Sequence, residues 1–177
     1  MPMDERKSVF KRGAECGVPM GLYMSTIALL TLFTDKIPVF SLVAIVMLFA
    51  GPFFIYRLQR RYFVEENGMT EYAALWMHGI LMVLYGALIT SAVAYVVLQY
   101  VRPGFIYDQM QTAVNAYNAI PQMKEQMGTM LEVMQQAIDQ NMLPSPIELV
   151  FNMFWFVAFS GSMVSAVTAA FAARRIS

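Results

Sequence analysis

The chain has 177 residues, of which 58% are hydrophobic and only 14% charged, whereas soluble domains average roughly 25% charged. Such a composition is that of a membrane protein with room for one domain. Twelve basic and twelve acidic residues cancel, which leaves no global basic field for nucleic acid. One cysteine, Cys16, and one histidine, His78, exclude a disulfide framework and a zinc site of the Cys/His kind. No metal and no cofactor is expected.

Four apolar runs are long enough to cross a hydrocarbon core of about 30 Å, which takes roughly 20 helical residues. The first, at 14–34, contains VPMGLYMSTIALLTLFT. Basic residues precede it, as in a secretory signal. No small-x-small cleavage site follows, and TDKIP leads directly into another apolar run, so a retained helix is expected. Gly13, Gly17 and Gly21 recur every four residues and Ser25 continues the row. Rows of small residues are packing faces, because lipid offers no apolar drive between helices. This one faces either the other spans or a second copy of the chain.

The second run, at 37–56, follows after only Asp35 and Lys36, so the two spans form a tight hairpin. Pro19 in the first span and Gly51-Pro52 in the second predict kinks. RLQRRYFVEEN then extends the second helix, and Asn67-Gly68 supplies a turn. Arg57, Arg60 and Arg61 read as topology determinants; anionic lipid headgroups or a cytoplasmic partner are the alternative. The third run, at 72–101, has thirty residues with His78 as its one titratable nitrogen base, and it must tilt or protrude. The fourth, at 147–173, carries a second small-residue row of Gly161, Ser165, Ala169 and Ala173.

Lysine and arginine number four before the first span, three between the second and third, and two after the fourth. The other two connections hold one and two. Nine against three places both termini in the cytoplasm and the segment 102–146 outside. That segment shows two helical patterns separated by Pro121. In the second, Met123, Met127, Met130, Leu131, Met134 and Ile138 form one face of a helix, with Lys124, Glu125, Glu132 and Asp139 on the polar side. Methionine is an adaptable packing residue, so the face is expected to cover a sister helix, the bilayer surface or a protein partner. Cu(I) coordination by the thioethers is the competing account.

Intramembrane ionisable groups are the natural place to look for function. Here they are few: His78, about two turns into the third span, and Glu148 with Asn152 at the outer end of the fourth, where Gln99 or Tyr100 would complete a small polar site. A proton relay at His78 would need an acidic partner, and the spans offer Glu15. Glu148 also suits the first turn of a helix, where a carboxylate meets the positive dipole end. No nucleophile elbow, phosphate-cradling loop or carboxylate pair is present, so an enzyme is not expected.

Taken together, the turn at 35–36, YRLQRRY leading to NGMTEYAALWMHGILMVLYGALI, the proline-terminated helical segment and the final SGSMVSAVTAAFAARRIS resemble a family of small bacterial four-span inner-membrane proteins of unknown function. The likeness covers nearly the whole chain. It implies an all-α integral membrane fold in the bacterial cytoplasmic membrane, transfers no active-site residue, and implies an accessory role beside a membrane glycosyltransferase in envelope glycan or lipid assembly. The expected protein is a noncatalytic accessory or assembly subunit embedded in the lipid bilayer, alone or as a homo-oligomer, presenting an amphipathic helical loop outward. A small oligomeric transporter or channel, its route lined by His78, Thr90, Ser91, Glu148 and Asn152, is the first alternative. An extracytoplasmic Met-rich Cu(I)-binding protein is the second.

Overall fold

The computed structural model describes residues 9–119, 121–140 and 142–174, and leaves the side chains of 121–127 outside that description. All regular structure among these residues is helical: α1 (Val9–Leu32), α2 (Val39–Glu65), α3 (Tyr72–Val96, continued by a π-helical stretch Val97–Val101), α4 (Phe105–Asn118), α5 (Pro121–Asp139) and α6 (Pro146–Ala172). Four of them, α1, α2, α3 with its extension, and α6, are long and apolar enough to cross a membrane. The protein is a multi-pass membrane protein.

The helices divide into two compact units, one of Met1–Ala94 with Phe151–Ser177 and one of Tyr95–Val150. In the first, α3 is central. Its contacts with α1 follow the glycine row: a Cβ on Gly13 would lie 2.6 Å from Leu81 Cβ, on Gly17 2.5 Å from Tyr85 Cβ, and on Gly21 2.8 Å from Ile89 Cβ. Both series advance by four residues together, so α1 and α3 run parallel with their backbones in close approach. Across α3, Gly161 of α6 meets Val83, while Tyr72 Oη and the Trp76 ring N–H donate to the carbonyls of Ala166 and Ser162. Here one series rises as the other falls, and α6 runs antiparallel to α3.

The hairpin of α1 and α2 is joined by the stacked rings of Tyr23 and Phe54, 4.6 Å between centroids, and by a hydrogen bond from Tyr23 Oη to the Met47 carbonyl. Pro19 and Pro52 both lie inside continuous helices. After α2, Asn67 and Gly68 adopt φ of 55° and 69°, and the Gly68 N–H returns to the Phe63 carbonyl at 2.9 Å. That six-residue return is how a left-handed pair satisfies the last carbonyls of a helix. The helix therefore runs nine residues beyond the apolar stretch that ends at Tyr56, so the basic sequence around Arg60 belongs to a helix face.

In the second unit α4 and α5 pack on each other, with Val114, Leu131 and Ile138 buried. Met134 is half-buried, and Met130 is exposed. Met123 and Met127 fall among the side chains outside the description. Leu131 and Ile138 stand seven residues apart, two helical turns along one narrow seam.

Candidate functional site

The first unit gathers its polar side chains where α1 and α3 begin and α2 and α6 end. The phase of α2 accounts for this: Ile55, Gln59, Tyr62 and Phe63 are buried at steps of four, three and one, which is one face of a helix. Ile55 joins Met20, Met82 and Val83 in one apolar cluster, and Tyr62 and Phe63 join Leu75 and Ala169 in another. Gln59 sits between them, fully buried. Its Nε2 donates to Ser165 Oγ at 2.9 Å, to the Ser165 carbonyl at 3.1 Å and to the Leu75 carbonyl at 3.3 Å. One amide thus ties α2 to both α3 and α6. Gly79 makes room for it, since a Cβ there would stand 1.8 Å from Ser165 Oγ and 2.3 Å from Gln59 Nε2.

His78 is also fully buried, with its ring stacked on Tyr62 at 4.3 Å and 7°. Among the described residues neither of its ring nitrogens makes a hydrogen bond of ordinary geometry, although the Arg12 backbone acts on the ring; Gln59 Oε1 and Arg12 Nε likewise lack a partner there. Arg12 and Glu65 are the charged side chains acting on the imidazole. Besides Glu15, the carboxylate that the spans offer to a proton relay, the far end of α2 brings Glu65 to this region, because that helix extends to residue 65. Glu65 itself is held by Arg12 and, at 2.8 Å, by Arg61 Nε. A cleft of about 130 Å³ opens here, lined by Arg12, Glu15, Cys16, Pro19, Leu58, Arg61, Tyr62 and Glu65. Two arginines face two glutamates, so its charge is balanced.

The other predicted residues are dispersed. Ser25 and Thr90 meet at 3.5 Å, and Thr90 Oγ1 reaches the Gly86 and Gly21 carbonyls at 2.9 and 3.3 Å, so this hydroxyl pair stitches α1 to α3. Ser91 is buried, and its hydroxyl has no partner among the described residues. Gly161, Ser165 and Ala169 are buried, and Ala173 packs against the cluster of Tyr62 and Ala169. Glu148 accepts from both the N–H and the hydroxyl of Ser145 at 2.8 Å, which supplies the carboxylate half of a capping box at the start of α6. The S-x-x-E spelling of Ser145 to Glu148 carries that signal. Asn152 is exposed.

Gln59, Tyr62, Arg12 and Glu65 escape a reading of the sequence by composition, since each stands in a charged stretch that resembles a solvated connection. The step pattern from Ile55 to Phe63 is the signal that would have found the first two. No group of three or more His, Cys, Asp and Glu side chains suited to a metal ion occurs among the described residues.

A family model described as "Protein of unknown function (DUF4199)" matches residues 15–174. No curated protein and no solved structure matches the chain.

Proposed function

We propose that this chain, which belongs to the DUF4199 family, is a noncatalytic accessory subunit of a membrane assembly. The observation that carries this reading is the use to which the intramembrane polar groups are put. Gln59, Ser165, Ser25 and Thr90 are bonded from helix to helix, and Arg60 donates to two carbonyls at the end of α6. Groups so engaged fix the mutual positions of four spans. A rigid four-span body of this kind suits a subunit that holds or orients another protein.

The family resemblance supports a bacterial cytoplasmic membrane, and the asymmetry of nine basic residues against three supports both termini inside, with α4 and α5 outside. There the two helices form the docking element. Envelope glycan or lipid assembly, beside a membrane glycosyltransferase, is the setting in which a partner is first sought. The test is purification of the native chain in mild detergent, with cross-linking and mass spectrometry of what accompanies it. A defined membrane-protein partner should co-elute, and should be lost when Phe105–Asp139 is replaced by a flexible linker that leaves the four spans folded. A pure homo-oligomer that conducts ions or solutes in liposomes would refute the proposal.

One observation favours the transporter as a second reading. His78 is buried, makes no hydrogen bond of ordinary geometry among the described residues, and stands close enough to Arg12 for its backbone to act on the ring. Flux in liposomes that disappears in His78→Ala would carry that reading.

A further inference from the structure

A second cleft, of about 440 Å³, opens between α2 and α6 and is lined by Tyr56, Arg60, Thr168, Phe171 and Arg174. Its charge differs in kind from that of the cleft beside His78: among the described residues, two guanidinium groups and no carboxylate line it. Arg60 is held in place. Its Nη1 donates to the Ala172 carbonyl at 2.8 Å and to the Arg174 carbonyl at 2.9 Å, and its guanidinium lies 5.1 Å from the centre of the Phe63 ring. Those bonds cover carbonyls that would otherwise present the negative end of α6 to the cleft. The Arg174 guanidinium lies over the Phe171 ring at 5.0 Å. Two oriented forks with N–H donors to spare form a receptor for a phosphate group, which arginine binds through paired donors.

The walls indicate which phosphate. Phe53 precedes Tyr56 on α2 and Val167 precedes Phe171 on α6, each about one turn further into the apolar part of its span, and both are more than half exposed. The faces of α2 and α6 that carry the two arginines thus continue as apolar surface into the spans. An inorganic ion makes no use of such a surface, whereas an acyl chain does. Basic pockets between spans are the general form of site for anionic lipid headgroups.

We propose that the cleft between α2 and α6 binds an anionic phospholipid, with its phosphate between Arg60 and Arg174 and an acyl chain along Phe53 and Val167. The inference is independent of the accessory role.

The full-length chain in zwitterionic detergent is titrated with phosphatidylglycerol, phosphatidylcholine and inorganic phosphate, and binding is read by native mass spectrometry and by the shift in thermal transition. Phosphatidylglycerol should bind and raise the transition, and the other two should not. R174Q should weaken phosphatidylglycerol about tenfold, the scale of one charge-assisted hydrogen bond. R60K, which keeps the charge and loses the fork, should also weaken it. R57Q alters an exposed arginine of the same helix outside the cleft, and should leave binding unchanged. Equal loss in R57Q and R174Q would overturn the proposal in favour of diffuse surface attraction. So would binding of inorganic phosphate as tight as that of the lipid, which would assign a free-anion site.

Discussion

The closest packing around the Gln59 amide is at Gly79, and replacing it with alanine makes the sharpest test of how the spans are held. The added methyl would stand 1.8 Å from Ser165 Oγ, 3.0 Å from Ser165 Cβ and 2.3 Å from Gln59 Nε2. Overpacking by a methyl typically costs about 1–3 kcal/mol. Displacing Gln59 from its three acceptors adds about 0.6 kcal/mol on the scale of interhelical bonds in membranes, and up to about 1.7. Alanine returns roughly 0.8–1 kcal/mol through its helix propensity. A net loss of about 2 kcal/mol is expected. The assay is unfolding by SDS in mixed micelles, followed by far-UV circular dichroism. Ser165→Gly removes the two serine atoms nearest the new methyl and leaves only the mobile end of Gln59. G79A/S165G should therefore be more stable than the sum of the single changes by at least about 1 kcal/mol. Strict additivity, or a G79A midpoint equal to that of the native chain, would refute the close approach of α3 and α6.

Three further outcomes follow from neighbouring geometry. Gln59→Leu should cost about 1 kcal/mol in the same assay, since an interhelical amide in a membrane has no water to replace its partners. His78→Phe keeps a ring against Tyr62 while deleting two buried nitrogens that make no hydrogen bond of ordinary geometry among the described residues. It should be neutral or stabilising by about 1 kcal/mol, and a comparable loss would mean that the nitrogens are engaged. Replacing Met123, Met127, Met130 and Met134 together by leucine should leave α4 and α5 folded, each swap costing less than about 1.5 kcal/mol. A saturable Cu(I) stoichiometry in the native chain that vanishes in this variant would establish thioether coordination instead.

The four spans are legible in the sequence because length and lack of charge are local properties, and the glycine rows because spacing is. What opposes a row is not local. Gly13, Gly17 and Gly21 meet Leu81, Tyr85 and Ile89, and nothing in either segment names the other. The same holds for Gln59 and Ser165, which are 106 residues apart. Glu148 shows the converse: its partner Ser145 is three residues away, so a short motif suffices to predict the bond. Met130 and Leu131 mark a third kind of limit. Both fit a generous apolar face, yet one is exposed and the other buried. The contact between α4 and α5 is narrower than the face that periodicity draws.

The three arginines at 57, 60 and 61 carry this point furthest. Counted as charges they are equivalent, and the rule that orients spans treats them so. Placed on α2 they diverge, because each residue turns the helix by about 100°. Arg57 is exposed, Arg60 donates to the carbonyls that end α6, and Arg61 pairs with Glu65 one turn along its own helix. Orientation depends on the number of charges and the cleft depends on the shape of one guanidinium. Lysine at all three positions should therefore preserve topology while removing the fork at Arg60. On the proposed orientation and the proposed lipid site, one basic turn serves both roles, and the Lys variant separates them without reversing the protein.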